Sequence, residues 1–311
     1  MRVGIIINPA AGRQRDRIRS NVVRAEAALR ECSLEGLVRV TGQRGSAREI
    51  AHSMLAAGAT TVVAWGGDGT INEVAEEVAS AGATLGVVPA GSGNGFARGL
   101  GLERHARTAL RTALTGPVRL IDTGQIDGRR FVNVAGIGFD AHMAGVFNRL
   151  RRRGALPYFQ AGFRELCSYR GETYTVRTAQ ETFTMSAFLV ALANCREYGN
   201  GALIAPHAHP DDGLLELVCV PARSLSWLLL RSYRLFAGTI ERVPGVRCVS
   251  AATVEVTAER PLAFHVDGEV YAGGPSLRVH VAPASLRVRV PAASAPKTPG
   301  GLGVSAHPPA P

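Results

Sequence analysis

The residue of this chain most clearly placed to do chemistry is an aspartate set among glycines, Asp68 in Trp65-Gly66-Gly67-Asp68-Gly69-Thr70-Ile71-Asn72-Glu73. Glycines remove side chains and admit positive φ, so the amides of Gly66, Gly67 and Gly69 can turn toward phosphate oxygens beside a helix N-terminus that adds its dipole. A carboxylate in such a turn repels a phosphate unless it meets a magnesium ion or takes a proton from an attacking hydroxyl. Both are tasks in phosphoryl transfer. The alternative is a strand-helix turn in which Asp68 only bonds nearby amides. The chain's sole lysine is Lys297, so a Walker-A lysine and a protein-kinase strand lysine are excluded. Phosphates here must be held by amides, hydroxyls, arginine and metal.

These residues need elements to position them. The apolar run Thr61 to Ala64 reads as a strand feeding the turn, and Thr70 with Glu73 has capping-box spacing for a helix to about Ser80. Arg2 to Ile7 reads as a buried first strand, followed by the loop Asn8-Pro9-Ala10-Ala11-Gly12 and a basic helix from about Arg13 to Arg30. A second strand near Leu37 to Thr41 leads to a capping box at Ser46 and Glu49 and a helix to about Ala57. Thr84 to Val88 is a fourth strand, and Pro89-Ala90-Gly91-Ser92-Gly93-Asn94-Gly95 a second glycine-rich loop. The alternation predicts a parallel, three-layer α/β domain with both loops at strand C-terminal ends, where such sheets bind ligands. A dinucleotide fingerprint fits poorly, because the second loop gives GxGxG after the fourth strand and not GxGxxG after the first.

The pattern changes after Pro117. Leu120 to Ile126, Asp127-Gly128 and Arg129 to Val134 form a hairpin with a favoured two-residue turn. Strands are expected near 173–177, 183–193, 214–220, 246–257, 262–266, 276–281 and 286–290, with a helical stretch from Ala141 to about Ser168. The expected organisation is an α/β nucleotide domain over 1–116, a mostly antiparallel β-sandwich with a helical insertion over 117–290, and a disordered Pro-rich tail over 291–311.

The string GGDGTINEV resembles the catalytic domain of diacylglycerol kinases, the lipid-kinase family that includes sphingosine kinases and bacterial YegS-like enzymes. GGDGT alone is shared with NAD kinases, and phosphofructokinases carry a related turn. The resemblance spans roughly residues 3 to 290, and its motifs stand in family order. It implies that Asn8 to Gly12 and Gly66 to Glu73 contribute to an ATP site. Thr41 does too, or else it satisfies local backbone at a strand end. In the second loop Gly91, Ser92 and Asn94 take the family's nucleotide-contacting places; Gly95 stands where many bacterial members have Asp, and the Ser-Gly-Asn wording leans toward the sphingosine and ceramide branch. The resemblance further implies a structural magnesium held by Asp212 with the carbonyls of His209 and Leu214; the segment also reads as a simple turn entering a strand. His207 and His209 suggest a transition-metal site, but no further ligand stands at the right spacing. The element His265-Val266-Asp267-Gly268-Glu269 matches the family's DGE near the catalytic cleft, so either Asp68 or Glu269 can be the general base; alone, it also reads as a hairpin turn with an incidental acid. The implied activity is ATP- and Mg2+-dependent phosphorylation of a diacylglycerol- or sphingosine-like lipid. An NAD kinase and a catalytically inactive nucleotide-binding regulator are the rivals.

With 311 residues and 46% hydrophobic composition, the chain has the length and make-up for two ordinary globular domains. Its formal charge of +10, almost wholly arginine, favours nucleotides, acidic lipid headgroups or nucleic acid. The arginines are not interleaved with aromatics in any nucleic-acid module, so no specific nucleic acid is expected. The run Asn148 to Arg153, with Arg149, Arg151, Arg152 and Arg153, is either a solvated helix end or a contact to an anionic membrane surface. Five scattered cysteines, Cys32, Cys167, Cys195, Cys219 and Cys248, read as buried thiols in a reducing compartment. No run reaches the roughly 18 apolar residues of a membrane span, since Arg231 and Arg234 interrupt Leu225 to Ile240. The expected location is cytoplasmic with peripheral membrane association, and a homodimer is compatible with the sequence.

Overall fold

The run Val3 to Ile7 is apolar apart from Gly4 because helices cover both faces of its strand. Ile5 and Ile7 pack with Val63, Trp65, Leu29 and Leu110 on one side. Ile6 packs with Val62, Ala64, Met54, Ile71 and Val74 on the other. The period of two along each strand thus builds two cores from one sheet, the three-layer arrangement expected.

A computed structural model describes residues 2–11, 18–43, 45–149, 165 and 168–292. In the first part run β1 (Arg2–Ile7), α1 (Ile18–Glu31), β2 (Glu35–Val40), α2 (Ser46–Ala56), β3 (Thr61–Gly66) and α3 (Asp68–Ser80). They are followed by β4 (Thr84–Pro89), α4 (Gly95–Gly99) and α5 (Ala106–Thr115). The second part opens with β5 (Val118–Ile126), β6 (Arg129–Phe131), β7 (Val134–Gly138), α6 (Phe139–Arg149), β8 (Glu172–Thr178) and β9 (Thr182–Ala193). Next come β10 (Glu197–Gly199), β11 (Ala202–Leu203), β12 (Leu215–Pro221), α7 (Leu225–Arg231) and α8 (Tyr233–Phe236). The last strands are β13 (Arg247–Ala251), β14 (Thr253–Thr257), β15 (Ala263–Val266), β16 (Glu269–Ala272) and β17 (Ser276–Arg289).

β4, β3, β1 and β2 lie side by side in that order, all parallel. The later strands are antiparallel and surround a separate core containing Phe131, Tyr174, Val190, Leu217 and Phe264. β17 joins the two regions. It pairs antiparallel with β14 and β5, while Arg287 and Val288 pair parallel with β4.

Several expected boundaries shift for identifiable reasons. The strands expected at 276–281 and 286–290 are one, β17, interrupted by a register shift between Ala282 and Leu286 where Ala284 takes φ 49°. The single stretch 246–257 divides at Ala252 into β13, which pairs with β12, and β14, which pairs with β8 and β17. Neither capping box forms. α3 begins two residues before Thr70, at Asp68, and neither helix has a side-chain cap bond from its own N-cap glycine. Glu73 instead accepts hydrogen bonds from Gly45 N (3.2 Å) and Ala47 N (3.1 Å), so it caps the neighbouring helix α2. Cys195 and Cys219 are buried as expected, but Cys32 is only partly covered and Cys248 is exposed on β13. Cys167, Gly12 and the arginines 151–153 lie outside the described residues, as does the side chain of Arg149.

Candidate active site

The C-terminal ends of the parallel strands come together through the backbone. Asn8 N donates to Trp65 O (2.9 Å), Thr41 N to Ile7 O (2.9 Å) and Ala90 N to Gly66 O (2.8 Å). These bonds bring the Asn8 loop, Thr41 and both glycine loops to one sheet edge. Asn8 Nδ2 also donates to Thr70 Oγ1 (2.7 Å), and Asn8 Oδ1 accepts from Ala10 N (2.9 Å), which fixes the first loop onto α3. The glycines of the two loops serve close approach and not unusual φ. A methyl group on Gly91 would stand 2.7 Å from the Cα of Gly67, so the loops pack backbone on backbone. Gly69 faces open space.

Asp68 is not the exposed loop acid that the glycine string suggests. It is half-buried on the first turn of α3, and its Oδ1 accepts from Phe96 N (3.3 Å) at the start of α4. Burial, and then the charge of Asp267, push its carboxyl up to about 6, against the pull of the Phe96, Gly95 and Asn94 amides. Asn94, with φ 51°, turns its amide back to bond Gly91 N and Gly91 O at 2.8 and 2.9 Å. It shapes the loop from inside, whereas Ser92 stands exposed at the tip. Ile71, implied as a nucleotide contact, is fully buried and anchors α3 to the sheet; Glu73 is engaged at α2.

The DGE element enters the same constellation through Asp267, which sequence reasoning left without a role. Asp267 and Gly268 form a two-residue turn between β15 and β16 with φ 46° and 90°, the same left-handed geometry as Asp127-Gly128. The Asp267 carboxylate accepts four hydrogen bonds: Asn72 Nδ2 (2.7 Å), Val132 N (2.8 Å), Asn133 N (3.0 Å) and Val134 N (3.0 Å). Burial raises its carboxyl and these donors pull it part of the way back. The bond from Asn72 ties the helix that carries Asp68 to the turn that carries Glu269. Glu269 Oε2 accepts from Tyr271 OH (2.9 Å), and the Arg129 guanidinium lies 3.7 Å above the Tyr271 ring.

A second buried group supports this turn. Gly268 N lies 3.3 Å from His265 Nδ1, and His265 Nε2 lies 2.9 Å from Asp140 Oδ2. Tyr198 OH donates to the same oxygen (2.6 Å). Burial alone would raise Asp140, but His265 and Tyr198 outweigh it and hold the carboxyl below its ordinary value. A Cβ on Gly136 would collide with both Asp140 and His265. The run Gly136-Ile137-Gly138-Phe139-Asp140, two glycines before a helix-starting acid, was the available signal for this cluster.

The magnesium segment lies elsewhere. Asp212 and His209 are exposed, and Asp212 Oδ1 accepts from Leu214 N (3.0 Å) as in an Asx turn. Asp122, unremarked in the sequence, is buried beneath and accepts from Gly213 N and Ala284 N, both at 2.7 Å. Among the described residues no three His, Cys, Asp or Glu side chains gather at metal-binding spacing. Any cation here would therefore rest chiefly on carbonyls and water, a donor set that magnesium accepts. A groove of about 870 Å³ between α1 and α5, lined by Arg24, His105 and Arg111, contains none of these residues.

Two glycine loops meet at the C-terminal edge of a parallel sheet with a half-buried acid between them, an arrangement suited to binding phosphate. The diacylglycerol kinase catalytic domain matches residues 2–126, and the YegS C-terminal NAD kinase beta sandwich-like domain matches residues 133–290. A Pseudomonas aeruginosa protein named "Probable lipid kinase YegS-like" is 34% identical over 287 residues, covering 87% of this chain and 89% of the relative. A protein of the same name from Chromohalobacter salexigens is 32% identical over 255 residues, covering 79% and 81%. A diacylglycerol kinase structure from Bacillus anthracis superposes with a TM-score of 0.72 over 94% of this chain and 98% of that one; at 19% identity this shows the shared fold alone. The chain belongs to the YegS-like diacylglycerol kinase family and is a kinase.

Proposed function

We propose that this kinase transfers the γ-phosphate of ATP to a hydroxyl of a diacylglycerol- or sphingosine-like lipid at an anionic membrane surface. The observation that carries this is the Asn72–Asp267 bond, which joins the helix that bears Asp68 to the DGE hairpin. ATP phosphates are held by the amides at Gly66 to Gly69 and by Ser92 at the open tip, while Gly91, its amide bonded to Asn94, shapes the second loop, with the Asn8 loop and Thr41 beside them. Gly69, having open space before it, lets the start of α3 approach a phosphate closely. Asp68, raised by burial, is poised to take the hydroxyl proton or to face a cation; Glu269 is the other candidate base. Magnesium bound with ATP would supply positive charge to offset that of the phosphates. The oxygens of Asp68 and of the loop carbonyls would hold it.

Labelled ATP offered with diacylglycerol, monoacylglycerol, ceramide, sphingosine, polyprenol and NAD tests the reading. Label on a lipid supports it, and label on NAD alone overturns it. Glu269→Gln separates the two candidate bases. If Glu269 draws the proton, turnover falls by about 10²–10⁴-fold with the melting temperature unchanged. If only the melting temperature falls, the segment is structural and Asp68 keeps the role.

The Asp212 segment is proposed as a structural magnesium site, with Asp212 and the carbonyls of His209 and Leu214 as ligands. An ion bound only by the folded state raises the melting temperature. Added magnesium should therefore stabilise the parent and leave Asp212→Ala unmoved. An equal shift in both proteins would reject the assignment.

A further inference from the structure

The segment Pro221 to Ile240 contains no acid, and it carries Arg223, Arg231, Arg234, Trp227 and Tyr233 among five leucines and Phe236. It folds into α7 and α8, and neither helix has a buried residue. Leu229, Leu230, Tyr233 and Phe236 are 46%, 71%, 56% and 61% exposed. Large apolar side chains are left in water in such a group only where something else covers them. The arginines stay with the aromatics: the Arg231 guanidinium lies 4.6 Å from the Trp227 ring centroid and that of Arg234 5.2 Å from Tyr233.

We infer that α7 and α8 form the face by which this kinase docks on an anionic bilayer, with Leu230, Tyr233 and Phe236 entering the boundary between headgroups and acyl chains. Three features select lipid over a protein partner. Tryptophan and tyrosine favour the headgroup level, where an apolar ring body and a polar tip are both satisfied. An acid-free arginine set matches anionic headgroups. A short amphipathic element lying on the surface also suits a chain in which no described helix is long and apolar enough to cross a membrane.

The face adjoins the site through one hairpin. α8 packs on β11, and a Cβ on Gly238, just past α8, would stand 3.0 Å from Leu203 of that strand. Its partner β10 bears Tyr198 and Gly199 against the second glycine loop, with Gly199 bridged to Asn94. Arg98 of α4 bonds Glu197 of β10 at 2.6 Å. Docking at α7 and α8 thus sets the bilayer one hairpin from the loops around Asp68. The purpose of the face rests on the lipid-kinase reading; its existence does not.

The test is co-sedimentation of the full chain with vesicles of phosphatidylcholine, with and without phosphatidylglycerol. The parent should bind the anionic vesicles and release them with salt. Leu230→Ser with Phe236→Ser should weaken binding by about tenfold or more, because apolar insertion sets the affinity of an interfacial helix. Arg231→Gln with Arg234→Gln should weaken it and flatten the salt dependence. Leu230 and Phe236 are exposed, and Arg231 and Arg234 are half-buried on helices without a buried residue, so the melting temperature should change little and turnover on detergent-dispersed lipid should hold. Variants that bind anionic vesicles like the parent overturn the inference and leave the kinase reading intact. A parent that is dimeric and turns monomeric in the apolar variant, with vesicle binding unchanged, shows that the face joins two copies and also overturns it. Vesicle binding that behaves as expected while no lipid accepts phosphate sinks the proposed lipid-kinase reading alone.

Discussion

Asp68→Asn should abolish phosphoryl transfer and make the unliganded protein more stable above pH 6. The loss of activity follows from the role proposed for Asp68: a positioned base contributes about 10²–10⁴-fold, and an amide can neither take the proton nor neutralise a cation. The gain in stability follows from the environment. Burial and the charge of Asp267 hold the Asp68 carboxyl at about 6, above the 3.8 of an ordinary aspartate, so folding favours its protonated form. Well below pH 3.8 the carboxyl is protonated in both states and carries no penalty. As pH rises from there to about 6, the unfolded chain ionises it more readily than the folded one, and stability is lost; above 6 the penalty is constant. A shift of this size is worth at most about 3 kcal/mol by the 1.36 kcal/mol per unit relation, and the weaker bonds from Phe96 and its neighbours to a neutral amide offset part of that. A net gain of about 1–2 kcal/mol for the asparagine variant is expected at pH 7.5, shrinking toward zero near pH 4. Denaturant unfolding of the apo proteins across that range measures it. A variant less stable than the parent at pH 7.5 would show that the loop amides hold the charge more strongly than burial opposes it.

The parts of this protein that could be read from the sequence are those fixed by local rules. Alternation of apolar strands with helices gave the parallel sheet, and Asp127-Gly128 gave its hairpin because a two-residue left-handed turn needs such residues. What escaped was long-range. The spacing of Thr70 and Glu73 fits a capping box, but Thr70 bonds Asn8 and Glu73 reaches the amides of α2, partners 62 and 26 to 28 positions away. Local spacing cannot say that a second helix end will compete for the same carboxylate. Asp267 was hidden for a similar reason: beside Glu269 it reads as turn chemistry, and its partners on Asn72 and on 132–134 lie more than 130 positions distant. The half-burial of Asp68 was likewise out of reach, because it comes from α4 folding back over it, a contact set by Asn94 and Gly91 and not by the glycine string itself.

Asp267→Asn should cause the largest loss of stability of the substitutions considered, roughly 3 kcal/mol. Asparagine tolerates φ 46° as readily as aspartate and fills the same volume, so the turn and the packing are spared and the hydrogen bonds alone are tested. The parent carboxylate receives four donors: the amides of 132–134 and the Asn72 side chain. An asparagine oxygen can serve the pair at Asn133 and Val134, but its NH2 then faces Val132 N and Asn72 Nδ2, donor against donor. Each unsatisfied buried donor costs about 1–3 kcal/mol, and relief of the buried charge returns only part of this. A fall in melting temperature of roughly 5 °C is expected for a chain of this size. The same variant removes a charge that raises Asp68, so the acid limb of the pH–rate profile should move to lower pH in whatever activity remains. A structural role for Asp267 alone would not move that limb. If stability falls while the limb stays in place, the two carboxylates are not electrostatically linked in the working enzyme. If stability is unchanged, water replaces the carboxylate at the amides of 132–134, and the DGE turn is held by His265 and the β15–β16 ladder.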